Sequence, residues 1–370
     1  MGGNRKKRRT YPDVPERLAS PIVDNHTHLP VRGDRDYAAM SFDVESGIVD
    51  SAGEGAASGA LEGSRRDADK GDGIVSNGTR SSESLRGAAD GKLHAQDANP
   101  PVTKEARQGS IPWHIARMEA AGVRHAITCG CDIPTLEPTV ALAERYPSLS
   151  AAIGIHPNEA PLHRGVTEAS PDGLTHGLDP WHRDYSLEEA VAEVASLAVS
   201  TVVVAIGETG LDYYRTADAG KKAQEEAFRM HIELAKDLDL PMQIHDREAH
   251  ADCMRILREC GAPERTIFHC FSGDREMAEI CAYNGWYASF AGPISYPANE
   301  GLREAFLAMP EELVLVETDA PYLAPMPWRG HPNAPYVSAC TARFMADLRG
   351  VDEALWCRRL DVNAREVYGV

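Results

Sequence analysis

Two histidines separated by one residue, His26 and His28, are the first pair in this chain able to do chemistry. Residues i and i+2 on a strand share a face, so this pair can point together toward one ion. Residues of the same ligating type recur downstream, each where a short apolar run ends. They are Glu208 in Ala205-Ile206-Gly207-Glu208, His245 in Gln243-Ile244-His245-Asp246, His269 in Phe268-His269-Cys270 and Asp319 in Glu317-Thr318-Asp319-Ala320. A lone H-x-H recurs by chance, and a histidine beside Cys270 is as readily a satisfied core residue. Four imidazoles and two carboxylates closing five candidate strands are harder to explain structurally. Burying that many polar groups without a partner costs several kcal/mol. Their shared chemistry is ligation of divalent metal. Glu317 and Asp24, also acidic and also at strand ends, are read as supports for the ligands or as structural residues.

Something must carry these residues to one place. Apolar runs with β-branched content cover residues 22–29, 125–131, 149–156, 202–208, 242–245, 266–270, 286–290 and 313–316. Helical patterns fall between them, at 111–121, 136–146, 187–198, 224–238, 251–260, 275–283 and 302–309, with two more near 338–348 and 353–367. Ser186-Leu187-Glu188-Glu189 is a capping box that marks one helix start. Short apolar strands alternating with helices predict a parallel sheet covered by helices. Eight such units favour closure into a (β/α)₈ TIM barrel of the α/β class, whose strand C-termini form the mouth where catalytic groups sit. A doubly wound open sheet is the alternative, but no Gly-rich phosphate turn follows the first strand.

One break interrupts the pattern. No Phe, Tyr or Trp occurs between Phe42 and Trp113, and much of that stretch is Gly, Ala and Ser with charges of both signs. Such a segment buries too little apolar surface to offset its ordering entropy, which predicts a disordered, low-complexity insertion over 32–108. The basic run at 5–9 is read as part of a solvated, disordered terminus over 1–20. Contact with nucleic acid and a localisation signal are the alternatives. No apolar stretch reaches membrane-spanning length and no secretory signal is visible, so no membrane is expected as a partner. The eight cysteines form no C-x-x-C pair and read as buried free thiols of a cytoplasmic protein. A net charge of −18 argues against coating duplex DNA with a broad basic face. It leaves room for an enzyme whose bound cations supply positive charge locally. Nothing in the sequence calls for an obligate protein partner.

The motifs together resemble one family. H-x-H at His26–His28, G-I-H-P at Gly154–Pro157, G-E-T-G-L-D-Y-Y at Gly207–Tyr214, H-C-F-S-G at His269–Gly273 and E-T-D-A-P-Y-L-A-P at Glu317–Pro325 are similar to those of the TatD-family hydrolases. Arg329-Gly330-His331-Pro332-Asn333 and the terminal Asn363-Ala364-Arg365-Glu366-Val367-Tyr368 fit as well. That resemblance implies a metal-dependent barrel of the amidohydrolase superfamily, with nuclease activity as the expected chemistry. It implies two adjacent cation sites: His26, His28 and Asp319 for one ion, His245 and His269 for the other, and Glu208 as the bridge. Pro30 stands where the family usually has Asp and Thr209 where Ile is commoner, which bears on substrate shape and removes no ligand. Paired cations can share a water, lower its pKa and neutralise charge on phosphate oxygens. Asp319 is then the candidate proton acceptor. His156, Arg329 and Arg247 are candidate phosphate contacts, with packing or surface roles as their alternatives, and magnesium, manganese or zinc all suit the ligand set. The expected activity is exonucleolytic cleavage of single-stranded DNA ends. A lactonase, deacylase or phosphotriesterase is the alternative within enzymes, and a non-catalytic metal-dependent binding protein the alternative outside them.

Overall fold

The structure, a computed structural model, describes residues 10–31, 41–42, 49–50 and 106–370. Eight strands form one sheet in chain order: β1 (Ile22–Thr27), β2 (Val123–Gly130), β3 (Leu149–Ile153), β4 (Val203–Asp212), β5 (Met242–Arg247), β6 (Thr266–Phe268), β7 (Tyr287–Phe290) and β8 (Val314–Val316). Every adjacent pair is parallel. The ring closes just past the end of β8, where Thr27 bridges Ala320 in parallel. Asp319 N donates to His26 O at 3.0 Å and His28 N to Ala320 O at 2.6 Å. The expected TIM barrel is what the chain forms.

Helices α1 (Ile111–Ala121), α2 (Ile133–Arg145), α3 (Pro180–Asp184), α4 (Leu187–Leu197), α5 (Asp218–Leu238), α6 (His250–Cys260), α7 (Arg275–Asn284), α8 (Glu300–Ala308), α9 (Ser338–Arg349) and α10 (Glu353–Tyr368) surround it. The capping box at α4 is present: Glu189 N donates to Ser186 Oγ and Ser186 N to Glu189 Oε2. The short helix α3 and the last four residues of β4 were not in the sequence pattern. No described helix is long and apolar enough to cross a membrane.

Two apolar layers hold the barrel. The outer one joins strand residues such as Ile22, Ile153 and Ile206 to helix residues such as Phe228, Phe306 and Trp356. The inner one fills the floor with Val23, Ile127, Ala152, Ala205, Ile267 and Leu315, plugged from below by Ala364, Val367 and Tyr368 of α10. Just above them lies a polar layer. Gln243 Nε2 donates to Tyr368 Oη and to Asn25 O, while Asn25 Nδ2 donates to Ser289 Oγ and Val316 O.

The disordered N-terminus expected over 1–20 does not extend to residues 10–20. Tyr11 and Leu18 are buried, Tyr336 Oη donates to Pro12 O, and Arg343 donates to Glu16 O. The apolar side chains of that segment supply the packing that its basic beginning gives no hint of. Residues 1–9 and nearly all of the 32–108 insertion lie outside the described residues. The exceptions are residues 106–108, where Ala106 already packs on the outer core, and a two-residue antiparallel ladder of Ser41–Phe42 with Val49–Asp50.

Candidate metal centre

Irregular backbone aims the ligands. The register of β1 against β2 shifts between Asp24 and Thr27. In that stretch both Asn25 and His26 find partners inside the barrel, which strict alternation would forbid. Against β5, β4 shifts register between Ile206 and Thr209, the stretch that holds Glu208. A Cβ on Gly210, whose φ is +135°, would stand 2.1 Å from His245 O, so only glycine lets β4 approach β5 there. Asp319 has a left-handed φ of 51° and Cys270 one of 40°, conformations that cluster at functional sites.

All six expected ligands converge. Glu208 is almost fully buried, and its two oxygens face different partners. Oε1 lies 2.5 Å from His245 Nδ1, 2.7 Å from His269 Nε2 and 3.4 Å from His156 Nε2. Oε2 lies 3.5 Å from His28 Nε2 and 3.6 Å from His26 Nε2. Asp319 Oδ1 sits 3.4 Å from His28 Nε2 and 3.9 Å from His26 Nε2. Among the described residues, three ligand-type clusters fall here: His26–His28–Glu208, His26–His269–Asp319 and His156–Glu208–His245.

The surrounding hydrogen bonds decide which ring nitrogens are free to ligate. Gln243 Nε2 is already donating, so its Oε1 is an acceptor for His26 Nδ1–H at 2.9 Å. That puts the lone pair of His26 on Nε2, toward the centre. His269 Nδ1 lies 3.4 Å from Glu317 Oε1, which also accepts from Cys270 N, and its Nε2 points inward in the same way. Asp24 accepts from Thr318 N and Oγ1 and so anchors the segment carrying Asp319. Both acids therefore sit where supports were expected. His156 is different. Its Nδ1 accepts from Asn158 N, so the proton is on Nε2, making it a donor aimed at Glu208. A donor suits contact with an anionic oxygen better than metal ligation.

Charge follows the same plan. Burial would raise the Glu208 pKa, but His269, His156 and His245 outweigh it and hold the carboxyl well below its usual range. Burial would depress His245, yet Glu208 and Asp212 lift it to about 9. The protons drawn onto these imidazoles balance buried carboxylates, and a divalent cation could replace them. Burial, with His269 beside it, lowers His26, leaving it neutral and able to ligate. Imidazoles that yield those protons to a cation, together with ionised carboxylates, make a donor set that fits divalent metal.

These groups floor a cavity of about 830 Å³ at the C-terminal ends of the strands. Arg247 and Arg329 both line it, stacked over Tyr214 at 4.0 Å and over Tyr296 at 4.6 Å. Sequence reasoning missed Asp212, whose Oδ2 lies 3.2 Å from His245 Nε2. Burial alone would raise its pKa, but His245 brings it down to about 2. Its signal was the acidic end of G-E-T-G-L-D, four residues beyond Glu208. Cys131, read as a buried apolar thiol, lines the cavity, with Sγ 3.8 Å from Glu208 Oε2. It follows the last residue of β2, so the chain direction that delivers the ligands delivers it too.

The chain is also similar to known proteins. Residues 102–369 match the sequence profile of the family described as TatD related DNase. An uncharacterised metal-dependent hydrolase, TatD, of Mycobacterium tuberculosis is 38% identical over 263 residues, covering 69% of this chain and 90% of the relative. A 3'-5' ssDNA/RNA exonuclease TatD of Citrobacter rodentium is 30% identical over 262 residues, covering 69% and 90%. The crystal structure of a TatD homologue from Escherichia coli superposes with a TM-score of 0.59 at 28% identity, over 70% of this chain and 91% of that one.

Proposed function

Because the chain belongs to the TatD family of metal-dependent hydrolases, we propose that it is a deoxyribonuclease that shortens single-stranded DNA from an end. The observation carrying this reading is the division of Glu208: one oxygen faces His245 and His269, the other His26 and His28. A carboxylate so placed would hold two ions, with Asp319 completing the His26–His28 side. Two divalent cations, magnesium, manganese or zinc, would supply an acidified water and neutralise charge on the phosphate. The residues do the rest. Asp319, beside His28 Nε2, takes the proton of the attacking water. His156 Nε2–H donates to a phosphate oxygen, and the guanidinium groups of Arg247 and Arg329 contact the phosphates at the mouth. A pocket floored by the ligands admits a strand end more readily than a duplex. The description of the Citrobacter relative as a 3'-5' ssDNA/RNA exonuclease supports a nucleic-acid substrate. The eight free cysteines support a reducing, cytoplasmic setting.

The test is a panel of end-labelled single-stranded DNA, duplex DNA, RNA, a lactone and an amide, each with magnesium, manganese or zinc. Single-stranded DNA should shorten fastest, and chelation should stop it. Intact DNA with all three metals alongside turnover of the lactone or amide would replace the nuclease reading.

A further inference from the structure

The ligand-like spacing around Glu208 does not stop at the six residues assigned above. Zinc binds nitrogen at about 2.0–2.1 Å and sulfur at about 2.3 Å, so atoms ligating one such ion lie roughly 3.2–3.8 Å from one another. His26 Nε2 and His28 Nε2 are 3.3 Å apart, and His28 Nε2 is 3.4 Å from Asp319 Oδ1 and 3.5 Å from Glu208 Oε2. Those spacings suit one ion held by these residues, with His26 Nε2 to Asp319 Oδ1 a little longer at 3.9 Å. Cys131 Sγ lies 3.8 Å from the same Glu208 Oε2, and its side chain lines the cavity with His28 and Asp319. Its neighbour Cys129 is placed differently. That sulfur lies 3.3 Å from Nδ1 of His26, the ring nitrogen turned away from the centre.

We propose that the sulfur of Cys131 is a further ligand of the ion held by His26, His28, Asp319 and Glu208. The inference rests on the two-metal reading and sharpens it. Ligation forms a sulfur–metal bond and releases the thiol proton to solvent, since a coordinating thiol is deprotonated. A thiolate is soft, so this position favours zinc, and the thiophilic ions that resemble it, over magnesium and manganese.

Cobalt(II) tests this without any turnover. Cobalt titrated into the full chain should reach two equivalents and give a near-ultraviolet sulfur-to-cobalt charge-transfer band. Cys131→Ser should lose that band while still taking up cobalt, and Cys270→Ser, altering another cysteine of the cavity wall, should keep it. Cadmium NMR of the unmutated chain needs no variant: a sulfur ligand moves one of two resonances downfield. A band that survives Cys131→Ser overturns the assignment. So do two bound cobalt ions without a band, or two cadmium resonances in the nitrogen-and-oxygen range. If no cobalt is retained at all, the metal reading falls and this inference falls with it.

Discussion

The two ends of the barrel interior are built on the same strands, yet they differ in kind. On β6, Ile267 belongs to the apolar floor, and two residues later His269 faces Glu208. Past the end of β8, Leu315 of the floor is followed at two-residue steps by Glu317, supporting His269, and by Asp319. From β2, Ile127 gives way to Cys129 and then to Cys131 at the cavity. Each step of two keeps the side chain on the same face while moving it roughly 7 Å toward the mouth. Stability and chemistry are therefore sorted by height along the strand, with the Asn25–Gln243–Tyr368 layer as the boundary.

Substitutions at different heights should break the molecule in different ways. Glu208→Gln, at the mouth, should lower turnover at least about 100-fold, roughly 2.7 kcal/mol of barrier, with the circular dichroism spectrum unchanged. Retention of more than about a tenth of the rate, ~1.4 kcal/mol, would exclude a bridging role. Ile127→Ala, in the floor, should do the reverse. It empties a fully buried site and should cost about 2–5 kcal/mol in urea unfolding, with metal content intact. If it also stripped the metal, floor and mouth would not be separable.

His231 tests how the mouth is held from outside. It lies fully buried on α5, donating from Nδ1 to Ala227 O and accepting at Nε2 from Ile155 N, next to His156. Burial pushes its pKa down to about 4 from 6.5. Below pH 6.5 the unfolded chain takes up a proton that the folded chain refuses. The contribution is thus complete above 6.5 and declines by roughly 3 kcal/mol as the pH falls to 4. Urea unfolding across that window should show the decline, and His231→Gln should flatten it; an unchanged slope would remove His231 as its source.

At the boundary layer, Gln243→Leu deprives His26 Nδ1 of its acceptor. Metal affinity measured by calorimetry should drop about 10–100-fold. Wild-type affinity would mean that the His26 ring is fixed by something else. The smallest effect is expected from the low-complexity segment. Replacing residues 52–98 with a short Gly/Ser linker changes loop-closure cost by only ~0.6 kcal/mol per doubling of length. Melting temperature and metal content should stay as they are. A selective loss of turnover on long DNA would show that the segment handles substrate.

This height rule explains what was legible in advance. The strands could be read because each is a short apolar run, and the candidate ligands because a histidine or acid ends such a run. Gln243 and Asn25 were silent, since an amide inside a strand carries no signal until its partners, 218 residues apart in the Asn25–Gln243 pair, are brought together. Tyr368 lay just past the helix expected near 353–367, and only closure of the barrel shows that it plugs the floor. Asp212 lay beyond the apolar run of residues 202–208, and only the close approach of Gly210 to β5 shows how β4 carries it to His245.

The seam of the barrel is sewn by the residues proposed to hold metal. The backbone bonds from Asp319 N to His26 O and from His28 N to Ala320 O tie the last strand to the first. His26, His28 and Asp319, holding an ion between them, would consequently clasp the seam, and unfolding would release it. Occupancy then becomes a term in the folding equilibrium: free metal at 100 times its dissociation constant adds about 2.7 kcal/mol. The amides of His28 and Asp319 should exchange with deuterium more slowly as metal is added, ahead of amides in the floor. A chelator would slow catalysis and loosen the ring at one and the same place.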